Sequence, residues 1–386
     1  MIPVSYNLRN LTVRKTTTAA TVLGLALVVF IFAGVQMLAT GITKTLGRSA
    51  DHDAALVLRK GATAEIESVI EAPNVNLIIN DLTVPQPASG PRGVGEIVVV
   101  ILLDKVGTTG ISNATIRGIK PEGLEFRKGI KIVAGRAPTP GADEAIIGNA
   151  LRGRFKGLDL EQSFELKKNR MVKVVGVFSD GASSNESEVW TDVDTVRTAF
   201  RREGFVSSVR VRLPPEKFDA FKASIESNRQ LNLQVLKEAQ YFEKQSEGSS
   251  QFITAMGLMI AVLFSIGAML GAMITMHAAV ANRQREIGTL RALGFGRRAI
   301  LFSFLLESVL IALIGGAIGV AASMAMSLVK FSMVNFASWS EIVFSFDPTP
   351  GIIIGSLVFA TVMGVLGGLL PAIRAARVSP IDAMRA

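Results

Sequence analysis

The 386-residue chain is 49% hydrophobic with a mean hydropathy of +0.41, which excludes a wholly soluble protein of ordinary domains. No cysteine and only two histidines, His52 and His277, exclude disulfides, thiolate metal sites and a histidine-built metal centre. A net charge of +9 would suit nucleic acid, but residues 44–250 hold 29 Lys and Arg against 27 Asp and Glu. The surplus lies in 1–16, 281–299 and 371–386, beside apolar runs, and no basic face with interleaved aromatics exists, so no nucleic acid partner is expected.

Residues 1–16 place Val4, Leu8 and Leu11 on one helical face, predicting a short amphipathic helix on the inner membrane surface. A first span follows over 17–43, uncharged and much longer than a signal-peptide core, hence an uncleaved anchor. Residues 44–233 read as an α+β extracytoplasmic domain. Its strands are predicted near 95–105, 114–119, 131–136, 171–178 and 207–213, and its helices near 63–71, 192–203 and 215–228. A stalk helix over 234–250 leads into a second span, 252–276; a third covers 300–329 and a fourth 351–370. The basic segment 281–299 and the tail 371–386 fall on the cytoplasmic side with the N-terminus. A loop over 330–350, with Trp339 as an interface anchor to membrane lipid, falls outside. The fold class is therefore an integral membrane α-helical protein with four transmembrane helices. An α+β extracytoplasmic domain is inserted between the first and second of them.

Gly267 and Gly271, Gly315 and Gly319, and Gly364 and Gly368 each make a small-xxx-small ridge on one span. Such ridges pack helices within one bundle or across a dimer axis. Glu307 is the ionisable residue within the spans. About two turns from the basic end of its helix, it can snorkel or pair with Arg291, Arg297 or Arg298, in a structural or coupling role or as a proton or substrate relay.

No phosphate loop, nucleophile elbow, H-E-x-x-H or triad pattern occurs, so neither catalysis nor a cofactor is expected in this chain. In 282–299, NRQREIGTLRALGFGRRA, the residues Ile287, Leu290 and Leu293 give a short helix one apolar face, and Gly294 and Gly296 permit the left-handed turn that ends it. A helix this short must bury that stripe, either on the membrane surface or in a groove of a cytoplasmic partner.

The stretch RQREIGTLRALGFGRRAILFSFLLESVLIALIGGAIG, the ending LLPAIRAARVSPIDAMRA and the N-terminal NLRNLTVRKTTTAATVLGLAL resemble the MacB/FtsX-like permease family of ABC transporters. KIVAGRAPTPGADEAIIGNAL and VKVVGVFSDGASSNESEVW are similar to the family's MacB-like periplasmic core domain. The resemblance implies a dimeric permease of mechanotransmission type in the bacterial cytoplasmic (inner) membrane. Its partners would be a separate cytoplasmic ABC ATPase subunit that binds the ATP, a second copy or a homologous permease, and a periplasmic adaptor. By that similarity Glu286, Ile287, Gly288, Leu290, Arg291, Ala292 and Gly294 belong to the ATPase-coupling helix. Export or extraction of a lipid-linked, peptide or hydrophobic cargo is the expected function. A transmembrane signal transducer that activates a cell-wall hydrolase or sensor kinase, and a membrane-anchored assembly factor without an ATPase, are the alternatives.

Overall fold

A computed structural model describes residues 15–86, 90–336 and 338–379. The amphipathic helix expected over 1–16 lies outside these residues except for its last two, as does the tail from Pro380. In chain order the elements are α1 (Lys15–Gly47), β1 (Ala54–Arg59), β2 (Ile70–Glu71), α2 (Ala72–Ile79), β3 (Gly93–Asp104), β4 (Ile111–Ile119), α3 (Pro121–Phe126), β5 (Lys131–Gly135) and β6 (Glu144–Gly148). They continue with β7 (Ser163–Lys167), β8 (Arg170–Ser179), β9 (Glu188–Asp192), α4 (Val193–Phe200), β10 (Phe205–Val206), β11 (Ser208–Arg212), α5 (Phe218–Ser227) and β12 (Leu233–Lys237). The chain then forms α6 (Glu238–Ala281), α7 (Gln284–Ala292), α8 (Arg297–Ala325), β13 (Lys330–Val334), β14 (Glu341–Ser345) and α9 (Pro350–Ala376).

Among the described residues four helices, α1, α6, α8 with its following turn, and α9, are long and apolar enough to cross a membrane. The chain divides into two units. One comprises Met1–Thr40, Gln251–Val329 and Ser345–Ala386, and the other Gly41–Ser250 and Lys330–Phe344.

The helical unit centres on Val22, Leu25, Val28 and Val29 of α1, packed with Ile311, Ala312 and Val320 of α8 and Ala360 and Met363 of α9. Its backbones approach closely because glycine faces glycine-sized gaps. A Cβ on Gly315 would stand 2.9 Å from the Val22 carbonyl oxygen, and one on Gly319 3.0 Å from the Phe30 nitrogen. On α9, a Cβ on Gly364 would meet Ala312 at 2.6 Å. These contacts join α1 to α8 and α8 to α9, as small-residue ridges do where apolar burial gives no net drive between helices.

The other unit is built on a ten-stranded mixed sheet of order β12-β1-β11-β3-β4-β9-β6-β8-β5, with β7 paired to β8. Only β4–β9 and β6–β8 are parallel. The predicted strands are found at β3, β4, β5, β8 and β11, with valine and isoleucine at many of the buried positions of β3, β4, β8 and β11. Three expectations change. Residues 63–71 do not form a helix: Glu65–Glu67 is one 3-10 turn that carries the Glu65 carboxylate inward, and Ile70–Glu71 pairs with β10. The helix at 192–203 is shorter, since Asp192 caps its start by accepting from the Asp194 and Thr195 amides and Arg201 ends it at φ 53. The stalk starts later, because Leu233–Lys237 alternates in burial and pairs with β1, so the helix begins at Glu238.

Residues 330–344, expected as a connecting loop, form the hairpin β13–β14 within this second unit. Glu341 binds Arg154 at 2.6 Å and Lys105 at 3.0 Å and accepts from Ser112, while the Val343 amide donates to Ser187 at 2.9 Å. Burial opposes ionisation of Glu341, but donors from Ser112, Ser332, Lys105 and Arg154 lower its carboxyl to about 2.

Candidate functional site

The short helix α7 follows the corner that ends α6. Its N-cap, Arg283, sits at φ −114 and ψ 16, so the chain turns there instead of continuing as helix. Most of the apolar stripe packs within the chain's own bundle. Ile287 is 1% exposed and packs on Met276 and Val280 of α6, Ile300 and Phe304 of α8, and Ala372 and Ala375 of α9, with Leu290 half-buried beside them. Leu293 does not join it and is 72% exposed. The stripe is therefore satisfied mostly inside the chain's own bundle, and Gly288 is buried with it. Gly294 takes φ +94 as expected, whereas Gly296 is extended and caps the start of α8.

The remaining residues of this segment divide by face. Glu286, Ala292, Leu293 and Gly294 are exposed. Arg291 is only half-exposed, and its guanidinium donates to the Ala376 carbonyl at the end of α9, 3.3 Å away. Glu307 pairs with none of Arg291, Arg297 and Arg298 in the recorded geometry. Its two oxygens accept from the two terminal nitrogens of Arg283, each at 3.1 Å, with both side chains buried. The signal for this partner was in the sequence: Arg283 stands at the membrane boundary, and only the angle of the α6–α7 corner aims it inward.

Of the three glycine ridges, two are used inside the bundle. Gly315 and Gly319 meet α1, and Gly364 and Gly368 meet α8 at Ala312 and Ser308. Among the described residues nothing lies within 4 Å of a Cβ added at Gly267 or Gly271. Both line a groove of about 520 Å³ between α1 and α6, with Gly24, Leu27, Leu263 and Phe264 on its walls.

The second unit contains a buried ion cluster that sequence reading missed entirely. Arg117 on β4 binds Glu65 at 3.0 Å, Glu96 of β3 at 2.9 Å and Glu188 of β9 at 2.6 Å. Arg210 on β11 binds Glu65 at 2.8 Å, Glu96 at 2.6 Å and Glu238, the first residue of α6, at 2.7 Å. Arg127 closes the set on Glu96 at 2.5 Å. Burial pushes the Glu96 carboxyl up, but Arg127, Arg210 and Arg117 outweigh it and hold the group at about 2; Arg117 and Arg210 likewise hold Glu65 well below the usual range. The Tyr241 hydroxyl, pushed up chiefly by burial, accepts from the Glu65 amide at 3.2 Å. Glu238 also accepts from the Asp51 amide at 3.1 Å, so one carboxylate ties the segment after α1 to the start of α6.

This cluster makes stability pH-dependent in one direction. A carboxyl lowered by folding contributes fully above its unfolded value near 4.5 and loses that contribution as pH falls toward about 2, which for Glu96 amounts to about 3 kcal/mol. The thermal midpoint followed by fluorescence of Trp190, whose indole donates to Glu188 at 2.7 Å, is expected to hold from pH 7 to about 5 and fall steadily below about 4.5. A midpoint flat down to pH 3 would contradict the assignment.

Comparison with known proteins adds the lineage. The family described as MacB-like periplasmic core domain matches residues 18–228, and the one described as FtsX-like permease C-terminal matches residues 258–380. Curated relatives include the macrolide export ATP-binding/permease protein MacB of Escherichia coli (strain K12). It is 31% identical over 233 residues, which cover 56% of this chain and 34% of that protein; MacB of Shigella flexneri gives the same figures. The chain thus spans about a third of the length of the curated relatives it matches. Among solved structures, the periplasmic region of MacB from Actinobacillus actinomycetemcomitans aligns over 50% of this chain and 92% of its own, at 12% identity and a TM-score of 0.37. The extracellular domain of the ABC-type transporter YknZ from Gram-positive bacteria aligns over 47% of this chain and 99% of its own, at 18% identity and a TM-score of 0.35.

Proposed function

Since this chain belongs to the MacB/FtsX-like permease family of ABC transporters, we propose that it is the membrane permease through which ATP hydrolysis on the cytoplasmic side moves an extracytoplasmic domain. The nucleotide is bound and hydrolysed by an ATP-binding partner; no cofactor binds to the residues of this chain. The observation that carries the reading is the construction of α7. A nine-residue helix with its apolar side committed to α6, α8 and α9 leaves Glu286, Ala292 and Leu293 facing outward on a firmly held support. That is what a docking element for a force-producing subunit requires: a small contact face that cannot roll. The basic residues around it support a cytoplasmic position for it. The unit containing Gly41–Ser250 then lies outside, with α1 and α6 as continuous helices for transmission. Engagement of the Arg291 guanidinium by the Ala376 carbonyl shifts the expected ATPase contact toward Glu286 and Leu293.

The absence of native cysteine gives a direct test. A single cysteine at exposed Thr289 is expected to react with a membrane-impermeant thiol reagent only after lysis and to cross-link to a nucleotide-hydrolysing subunit, while one at exposed Ser227 reacts in intact cells. Ser183, in the same unit, is buried and unsuitable. Leu293→Asp should reduce co-purification of that subunit at least tenfold with insertion unchanged. Labelling of Thr289→Cys from outside, or purification without any ATPase, would sink the reading.

The unfilled ridge of Gly267 and Gly271 supports association with a second copy or a homologous permease across the α1–α6 face, where two glycine-lined surfaces approach closely. Export or extraction of a hydrophobic, peptide or lipid-linked cargo is the reading favoured here, in line with the named export function of the MacB relatives. An outer-domain adaptor and membrane lipid complete the proposed partners.

A further inference from the structure

We infer that Arg283 and Glu307 are positioning residues for coupling: their ion pair locks α7 to α8, so that displacement of α7 drives the third span rather than being absorbed at the α6–α7 corner. The inference rests on the transporter reading and adds to it the route by which motion enters the membrane.

The corner needs such a lock. Between the end of α6 at Ala281 and the start of α7 at Gln284, Asn282 and Arg283 leave helical geometry, with the Arg283 amide bonded to Val280 and the Ile287 amide to the Arg283 carbonyl. A two-residue corner of this kind is where a hinge would form. Arg283 spans it. Its backbone caps α7, and its guanidinium reaches a carboxylate ten residues into α8, about 15 Å along that helix from its start. The pairing is bidentate at 3.1 Å on both arms, which fixes orientation as well as distance; a lysine would supply the charge without the fork.

The surroundings make the link hard to slip. Thr17, Thr18 and Thr21 of α1 and Thr275, Met276 and Ala279 of α6 enclose the pair with Ile311 of α8. The cavity beside it is about 30 Å³, room for about one water molecule. Separation would strand two buried ions with little beyond threonine hydroxyls to solvate them. At the other end of α7, Arg291 holds the Ala376 carbonyl, and Ile287 fills the space between. The short helix is thereby tied at both ends to the α8–α9 pair.

The test uses the full chain in lipid nanodiscs with a nitroxide on Thr289→Cys, and a second preparation labelled at Val362→Cys on α9, both exposed positions. Glu307→Gln, and the double neutral variant R283Q/E307Q, which leaves no orphan charge, are expected to shorten the rotational correlation time at position 289 at least twofold and leave position 362 unchanged. No change at 289, or equal loosening at both positions, overturns the lock. With the ATPase subunit bound, R283Q/E307Q should retain the complex and its basal hydrolysis but lose at least fivefold of the ATP-dependent spectral change of a nitroxide at Ser227→Cys. Normal transmission in that variant also overturns the inference. Absence of any ATPase from the wild-type preparation would instead refute the transporter reading, a result the mobility measurement registers separately.

Discussion

Arg210→Met is expected to unfold the outer unit, at a cost of about 3–5 kcal/mol, the range for removing one partner from a buried charge pair. Arg210 is 1% exposed and binds Glu65, Glu96 and Glu238 at 2.6–2.8 Å. Methionine matches its volume but leaves three carboxylates facing one another, with Arg117 and Arg127 unable to balance them. Trp190 is fully buried and donates to Glu188 of the same cluster, so its emission in urea titrations of the full chain reports the loss. The midpoint should drop to low urea or vanish. Lys173→Met, which removes an exposed pair with Glu161, should shift it little. If Arg210→Met unfolds with the wild-type midpoint, the cluster does not hold the sheet together.

The second large effect is expected in the helical unit and separates two kinds of glycine. Gly319→Leu should abolish a stably folded bundle, because even a Cβ there stands 3.0 Å from the Phe30 nitrogen and 3.0 Å from Val29 Cβ, and these are atoms of a helix that can yield only by moving whole. Overpacking of a filled core typically costs about 1–3 kcal/mol, and four carbons driven against backbone exceed that. A Cβ added at Gly267 meets none of the described residues within 4 Å, so the Gly267→Leu monomer should fold and insert normally. Its effect is confined to association: dimers by size-exclusion chromatography with multi-angle light scattering should fall at least tenfold. Equal damage from both substitutions, by protease resistance in membranes, would mean that the ridge on α6 is already packed within one chain and serves no second copy.

Much of this architecture was legible in the chain because the membrane imposes it locally. Four apolar runs of spanning length, interrupted by charge only at Glu307, announce helices whatever they pack against, since only intrahelical bonds satisfy a backbone in hydrocarbon. The basic segments beside them and the motif around Glu286–Gly294 carried the family resemblance without any knowledge of contacts. The strongest strands showed themselves too, through β-branched runs such as Ile97–Leu103.

What the tertiary structure alone decided is which group meets which. Glu65, Glu96, Arg117, Arg210 and Glu238 lie scattered over more than 170 positions and read singly as surface charges; only a sheet that sets β11 beside β3 and β3 beside β4 gathers them in one desolvated site. The residues 330–344 have too little periodicity to reveal a hairpin, and their pairing is stabilised by Arg154 and Ser112, far away in the chain. Arg283 belongs to the basic segment 281–299, where charge next to a span is normally solvated, and a corner of two residues turns it inward to Glu307. The sequence determines where apolar matter must go, an additive property of neighbouring residues. The pairing of charges is a property of distances, and those exist only once the chain has folded.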